Sequence, residues 1–276
     1  MEEYNRYKGG CNLLKKIRRI TIIVSIIFIL IVIIGIVFFL NDAGLIDLGD
    51  SNSTDSSISG TVTDADVKQV MAMSDEEVWK GLTNGLLSDR PSDKSPANAS
   101  QIESTVRQQM VDITVPTRAW ENVGDSSNMN IVRKDVTVQV NKLLAGLWTA
   151  FFTDLYNEAP NFVIKSVGVF RIDGTGYGQI GYKSGHTYGA AVDINWYDDG
   201  NPYGTKPAYS KEEWNALPEN HLKYQIIYKD SDVVKIAHKY TLYWGGEWTG
   251  KNKDIMHFSF VCDGKSRADR IQMYGN

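Results

Sequence analysis

From Ile20 to Leu40 the chain runs through twenty-one consecutive residues without a charge, and Thr21 and Ser25 are their only polar side chains. At about 1.5 Å of rise per residue, a helix of that length spans roughly the 30 Å hydrocarbon core of a bilayer. The run predicts a transmembrane helix and divides the chain into two unequal parts. Arg6, Lys8, Lys15, Lys16, Arg18 and Arg19 precede it, whereas Asp42, Asp47, Asp50, Asp55, Asp64 and Asp66 all come before the next lysine, Lys68. The excess of positive charge on the short N-terminal side places residues 1–19 in the cytoplasm and everything after about residue 41 outside the membrane. A cleaved signal peptide would have a shorter apolar region ending in small residues, and Phe38-Phe39-Leu40-Asn41-Asp42 offers no such site. With this topology the membrane separates the two cysteines, Cys11 and Cys262, so they form no intrachain disulfide.

The outer part begins with residues 41–63, rich in Ser, Asp, Gly and Thr and nearly empty of large apolar groups after Leu48, which predicts a flexible tether. Two short helices are expected next. One runs over 64–73 with Val67, Val70 and Met71 at helical spacing; the other is announced by a Ser74/Glu77 capping box and carries Val78, Leu82 and Leu86. Residues 88–100, with Pro91 and Pro96, then mark a boundary. Residues 41–100 therefore read as an extracellular tether and short-helix stalk, or alternatively as a module for a protein partner. Residues 101–276 read as the working domain.

Within that domain, 136–160 carries Val140, Leu143, Leu144, Leu147, Phe151 and Leu155 at intervals of three and four and stops at Pro160, which predicts a long amphipathic helix. Residues 162–170 read as a strand, as do Ala190–Trp196 and His257–Val261, with a helix over 233–240 between them. Strands and helices without a βαβ rhythm predict an α+β fold, a small antiparallel sheet flanked by helices. A net charge of −4 argues against a nucleic-acid partner, because phosphate binding needs a basic face.

Two fragments carry the chemistry. Ser184–Trp196 contains His186 and Asp193, and Asp254–Phe260 contains His257. Two imidazoles and a carboxylate fill three corners of a zinc tetrahedron and leave the fourth for water, the arrangement of a hydrolytic Zn2+ site rather than a structural one. Gly185, Gly189, Ala190 and Ala191 allow the backbone segments bearing His186 and Asp193 to approach closely. Alternation along the last strand turns His257, Ser259 and Val261 to one face and Phe258 and Phe260 to the other. Asp254, three residues before His257, is placed to act as general base. Arg171 reads either as a clamp for a substrate carboxylate or oxyanion, or as a surface ion pair. His221 and His238 read as structural. Trp244 and Trp248 read either as the lining of a groove or as packing anchors.

The spacing Ser184-x-His186-x-x-Gly189-x-Ala191-x-Asp193, followed by Trp244-Gly245-Gly246-Glu247-Trp248 and Asp254-x-x-His257-Phe258, resembles the bacterial LAS-type zinc peptidases. These include D-alanyl-D-alanine carboxypeptidases and dipeptidases and phage L-alanyl-D-glutamate endopeptidases. The resemblance covers about residues 136–262. It implies that His186, Asp193 and His257 hold zinc, that Asp254 is the base, and that an upstream arginine contacts substrate. The tryptophan signature is similar to the endopeptidase and phage-lysin branch. Two departures stand out: the family's S-x-Y-R sequence is lacking, which leaves the roles of Arg171 and Gln179 open, and Glu247 stands where an aspartate is common. The implied activity is hydrolysis of peptidoglycan stem peptides, of the endopeptidase type, at the outer face of the cell membrane. A D,D-carboxypeptidase and a non-catalytic zinc-containing wall-binding or assembly module are the alternatives.

Overall fold

The computed structural model describes residues 63–93, 96–122, 129–172, 181–196, 201, 203–204, 207–249, 252–261 and 265–274. The expected transmembrane helix over 20–40 and nearly all of the tether lie outside the described residues, as do Gln179 and Cys262. Among the described residues no helix is long and apolar enough to cross a membrane.

Helix α1 (Asp64–Ala72) and helix α2 (Asp75–Leu82) both start with reciprocal caps. Ser74 and Glu77 satisfy each other's amides at the second, as the sequence predicts, and Thr63 and Asp66 do the same at the first, which the sequence reading had not named. Helices this short do not support themselves in water, and burial decides whether they form. Here Val67, Val78, Trp79 and Leu82 enter the same hydrophobic core as Phe151 and Phe258, together with Ile102 and Val106 of helix α3 (Ala99–Arg107). The two helices expected in the stalk thus pack into the core of the domain itself.

Strand β1 (Met110–Asn122) pairs antiparallel with β2 (Met129–Asn141) along their full length. Ile113, Val115 and Thr117 on β1 are buried on the same face as Val138 and Val140 on β2. Helix α4 (Ala145–Glu158) follows, burying Leu147, Trp148, Phe151, Phe152 and Leu155, and ends just before Pro160 as expected. Its start corrects the sequence reading, which carried the helix back to residue 136. Val136, Val138 and Val140 are β-branched residues at a spacing of two, and they pair with Val115, Ile113 and Val111 as strand. Asn141 then turns the chain: its Oδ1 accepts from Leu143 N at 3.1 Å, its Nδ2 donates to Leu82 O at 3.0 Å, and a single 3-10 turn, Lys142–Leu144, leads into the helix.

The expected strand over 162–170 is also shorter than predicted, reduced to β3 (Val167–Gly168). The amides of Val163 and Ile164 are spent on Tyr224 O and Arg118 O, so no ladder forms there. β4 (Ala191–Ile194) comes next, then β5 (Tyr203–Gly204), helix α5 (Lys211–Asn215) and helix α6 (Asp232–Lys239). β6 (Tyr243–Trp244), β7 (Lys253–Asp254), β8 (His257–Ser259) and helix α7 (Arg267–Tyr274) complete the order. The strands β3-β4-β8-β6, all antiparallel, form a four-stranded sheet, and β5 pairs with β7 beside it. The α+β class with small antiparallel sheets agrees with expectation. α7 is fastened by two buried arginines. Arg267 donates to the carbonyls of Met73 and Met71, and Arg270 to those of Thr241, Ser259 and Phe260.

Candidate metal centre

His186 lies in a 3-10 turn, Gly185–Tyr188, whose first amides are capped by Ser184 Oγ. Gly189 closes the turn with φ 61°, and a Cβ there would come within 2.6 Å of Asn141 N, so only glycine fits. The edge of Trp79 meets the Tyr188 ring at 4.8 Å, which braces this loop from α2. Asp193 on β4 and His257 on β8 are direct partners across the sheet, and directly opposed residues share a face.

The three side chains converge on one point. His186 Nε2 is 3.1 Å from Asp193 Oδ1, His257 Nδ1 is 2.9 Å from the same oxygen, and the two nitrogens are 3.1 Å apart. All three residues are buried. Val169 O lies 2.7 Å from His186 Nδ1, and because a carbonyl only accepts, Nδ1 carries the proton and Nε2 presents its lone pair to the centre. Burial alone would push the Asp193 carboxyl up, but the two imidazoles over it outweigh that and hold it well below the usual carboxylate range. Three buried atoms capable of donating electron pairs, this close together, can hold a cation between them. Bonds of about 2.0–2.1 Å to tetrahedral zinc put neighbouring ligand atoms about 3.3 Å apart, close to the spacing found here. The donor set, two nitrogens and one carboxylate oxygen, also fits zinc.

Around this centre the structure sorts the remaining predictions. Arg171, left open between substrate clamp and surface ion pair, comes to the site: its amide donates to His186 O at 3.1 Å, and its Nη2 lies 3.6 Å from Asp193 Oδ2, the carboxylate oxygen turned away from the histidines. Asp254 is half-buried on β7, at the entry to the turn that delivers His257. A Cβ on Gly245 would stand 2.3 Å from Asp254 O, so the Trp-Gly-Gly turn lies directly against it. The two tryptophans divide: Trp244 is buried, donating to Ile255 O at 2.8 Å, whereas the Trp248 ring lies 5.2 Å from that of His257. Both carboxylate oxygens of Glu247 are engaged by residues other than the metal ligands, with Oε1 3.0 Å from His238 Nε2 and Oε2 accepting from Tyr274 Oη at 2.5 Å. Its longer side chain therefore ties the tryptophan turn to α6 and α7.

Sequence reasoning missed two supports. The Val169 carbonyl leaves no trace in residue identity. Asn195 does: it follows the ligand strand, holds φ 52°, and bonds Lys165 N, Val163 O and Gln225 O through its side chain. Asparagine tolerates that left-handed conformation, so Asp-Ile-Asn after a strand was a readable signal.

Three buried donors, one carboxylate kept ionised and an arginine beside it define a hydrolytic zinc centre. Residues 178–260 match the family model described as D-alanyl-D-alanine carboxypeptidase, and this segment, which holds all three ligands and Asp254, is similar to the LAS-type zinc peptidases. The protein is accordingly a zinc metallopeptidase. No curated protein and no solved structure matches the chain significantly.

Proposed function

We propose that the protein is a membrane-anchored zinc peptidase that hydrolyses peptidoglycan stem peptides outside the cytoplasmic membrane, as an L-alanyl-D-glutamate endopeptidase. The observation that carries the peptidase reading is the convergence of His186 Nε2, His257 Nδ1 and Asp193 Oδ1 on one buried point within the matched segment. Zinc held by His186, Asp193 and His257 would supply a Lewis acid for the scissile carbonyl and lower the pKa of water at the site. Asp254 would take the proton from the attacking water and pass it to the leaving amine. Arg171, partly exposed beside Asp193, offers its guanidinium to a substrate carboxylate or to the developing oxyanion. The uncharged run at 20–40 and its basic flank support an anchor with the catalytic domain outside, where peptidoglycan is the nearest plentiful peptide.

The Trp-Gly-Gly-acid-Trp signature favours the endopeptidase. The description of the matched family favours a second reading, a D,D-carboxypeptidase. Mass analysis of fragments released from purified peptidoglycan separates them: new N-terminal D-glutamyl ends are expected, free D-alanine would replace the endopeptidase by the carboxypeptidase, and intact peptides would leave a zinc-containing wall-binding module.

A further inference from the structure

Trp196 is an exposed tryptophan, 38% accessible, three residues beyond the metal ligand Asp193. Its place is set by its neighbours. The Trp196 amide donates to Ser166 Oγ at 3.0 Å and the Asn195 amide to Ser166 O at 2.8 Å, which lays this segment along the start of β3. The indole then extends over Gly168: a Cβ built on Gly168 would stand 2.6 Å from Trp196 Cη2 and 3.1 Å from Cζ3. Gly168 is the direct cross-strand partner of Asp193, and Asp193 that of His257.

Directly opposed residues of an antiparallel ladder point to the same face, with Cβ atoms about 5 Å apart. The missing side chain of Gly168 therefore belongs to the row that holds the two strand-borne metal ligands, and the Trp196 ring fills its place. On the opposite flank of that row, the Trp248 ring lies against His257. Two indoles thus bracket the metal ligands on one face of the sheet. Trp196 has kept an exposed surface there, although a buried tryptophan would contribute more to stability.

We propose that Trp196 is a substrate-contacting residue: its indole forms the β3-side wall of the peptide cleft and packs against an aliphatic surface of the substrate next to the scissile bond, with Gly168 leaving the room it needs. From Gly168 to His257 the row crosses two strand spacings, roughly 10 Å, about the length of three extended residues. That suits a short peptide lying across the metal between the two rings. The inference rests on the peptidase reading above.

The test is steady-state hydrolysis of a purified stem peptide by the zinc-loaded protein, with zinc content measured on each variant. Trp196→Ala is expected to raise KM about tenfold, the worth of one aromatic contact, with kcat and zinc content unchanged, because a wall contributes uniform binding. Trp196→Phe is expected to restore most of the affinity. Gly168→Val, which displaces the ring without removing it, is expected to raise KM in the same way. If the wild type releases nothing from the peptide, the peptidase reading itself has failed. If the wild type is active and Trp196→Ala keeps the wild-type KM, or loses zinc in proportion to its activity, the assignment of Trp196 is overturned and the peptidase reading stands.

Discussion

Substitution of Gly245 by alanine probes the proposed general base, Asp254, without altering its chemistry. A Cβ at Gly245 would stand 2.3 Å from Asp254 O and 3.0 Å from Asp254 Cβ, whereas ordinary contacts of this kind begin at 3.4 Å. The nearest obstacle is backbone, not the end of a flexible side chain, so the segment bearing Asp254 must retreat by about 1 Å. Displacement of a reacting group by about 1 Å costs on the order of 10²-fold in rate, roughly 2.7 kcal/mol of transition-state stabilisation. His186 and Asp193 stand on other segments, and His257, three residues beyond Asp254, is held by the pairing of β8 with β4 and β6, so Gly245→Ala is predicted to keep its zinc and lose about two orders of magnitude in kcat. Asp254→Asn should lose at least as much. The assay is single-turnover cleavage of a purified stem peptide, with zinc content and far-ultraviolet circular dichroism recorded in parallel. Wild-type kcat in a folded, zinc-loaded Gly245→Ala protein would refute the placement of Asp254 as the base.

Three further perturbations follow from the same geometry. Arg171→Ala should lower kcat/KM by about 10²–10³-fold with zinc retained, and Arg171→Lys should recover little, because a point charge does not reproduce the guanidinium fork; equal activity of the three proteins would return Arg171 to a surface ion pair. Trp79→Ala should destabilise the domain by about 3–5 kcal/mol in urea unfolding, since Trp79 is buried against Tyr188 of the ligand loop; a change below about 0.5 kcal/mol would restore helices 64–82 to a stalk. Glu247 is pushed up by burial but more strongly held down by His238 and Tyr274, so its folded-state pKa lies below the ordinary 4.5. Its contribution is therefore fully present above pH 4.5 and lost as pH falls through the depressed value, and the unfolding curves of the wild type and Glu247→Gln should converge on acidification; a gap that widens with acid would contradict this.

What the sequence made legible follows the reach of each signal. The Ser74/Glu77 capping box was readable because a Ser with an acidic partner three residues on is local chemistry, and it forms as expected; the Thr63/Asp66 box, of the same local kind, was passed over. The metal ligands were readable from the spacing of the two fragments together and the family resemblance that spacing carries; the register of β4 on β8 sets Asp193 opposite His257, and the 3-10 turn brings His186 to them. The start of α4 was misread because Val140 fits both the strand alternation 136-138-140 and the helical series 140-143-144-147, and the competing period won at a junction. The packing of helices 64–82 was invisible for another reason. Their partners, Phe151, Phe258 and Arg267 of α7, lie up to about two hundred residues away, and a short amphipathic helix looks the same whether it docks or dangles. The Trp196 wall belongs to the same class: it exists only because Gly168 is opposite Asp193, a fact of register that the identities of neither residue disclose.

Zinc analysis of the purified protein tests the central claim most directly. The account predicts one zinc per chain in the wild type and none retained after His186→Ala or His257→Ala, since each removes one of three donors that meet within about 3 Å of one another. A wild-type protein that takes up no zinc, or a His257→Ala protein that holds it in full, would contradict the account at its centre.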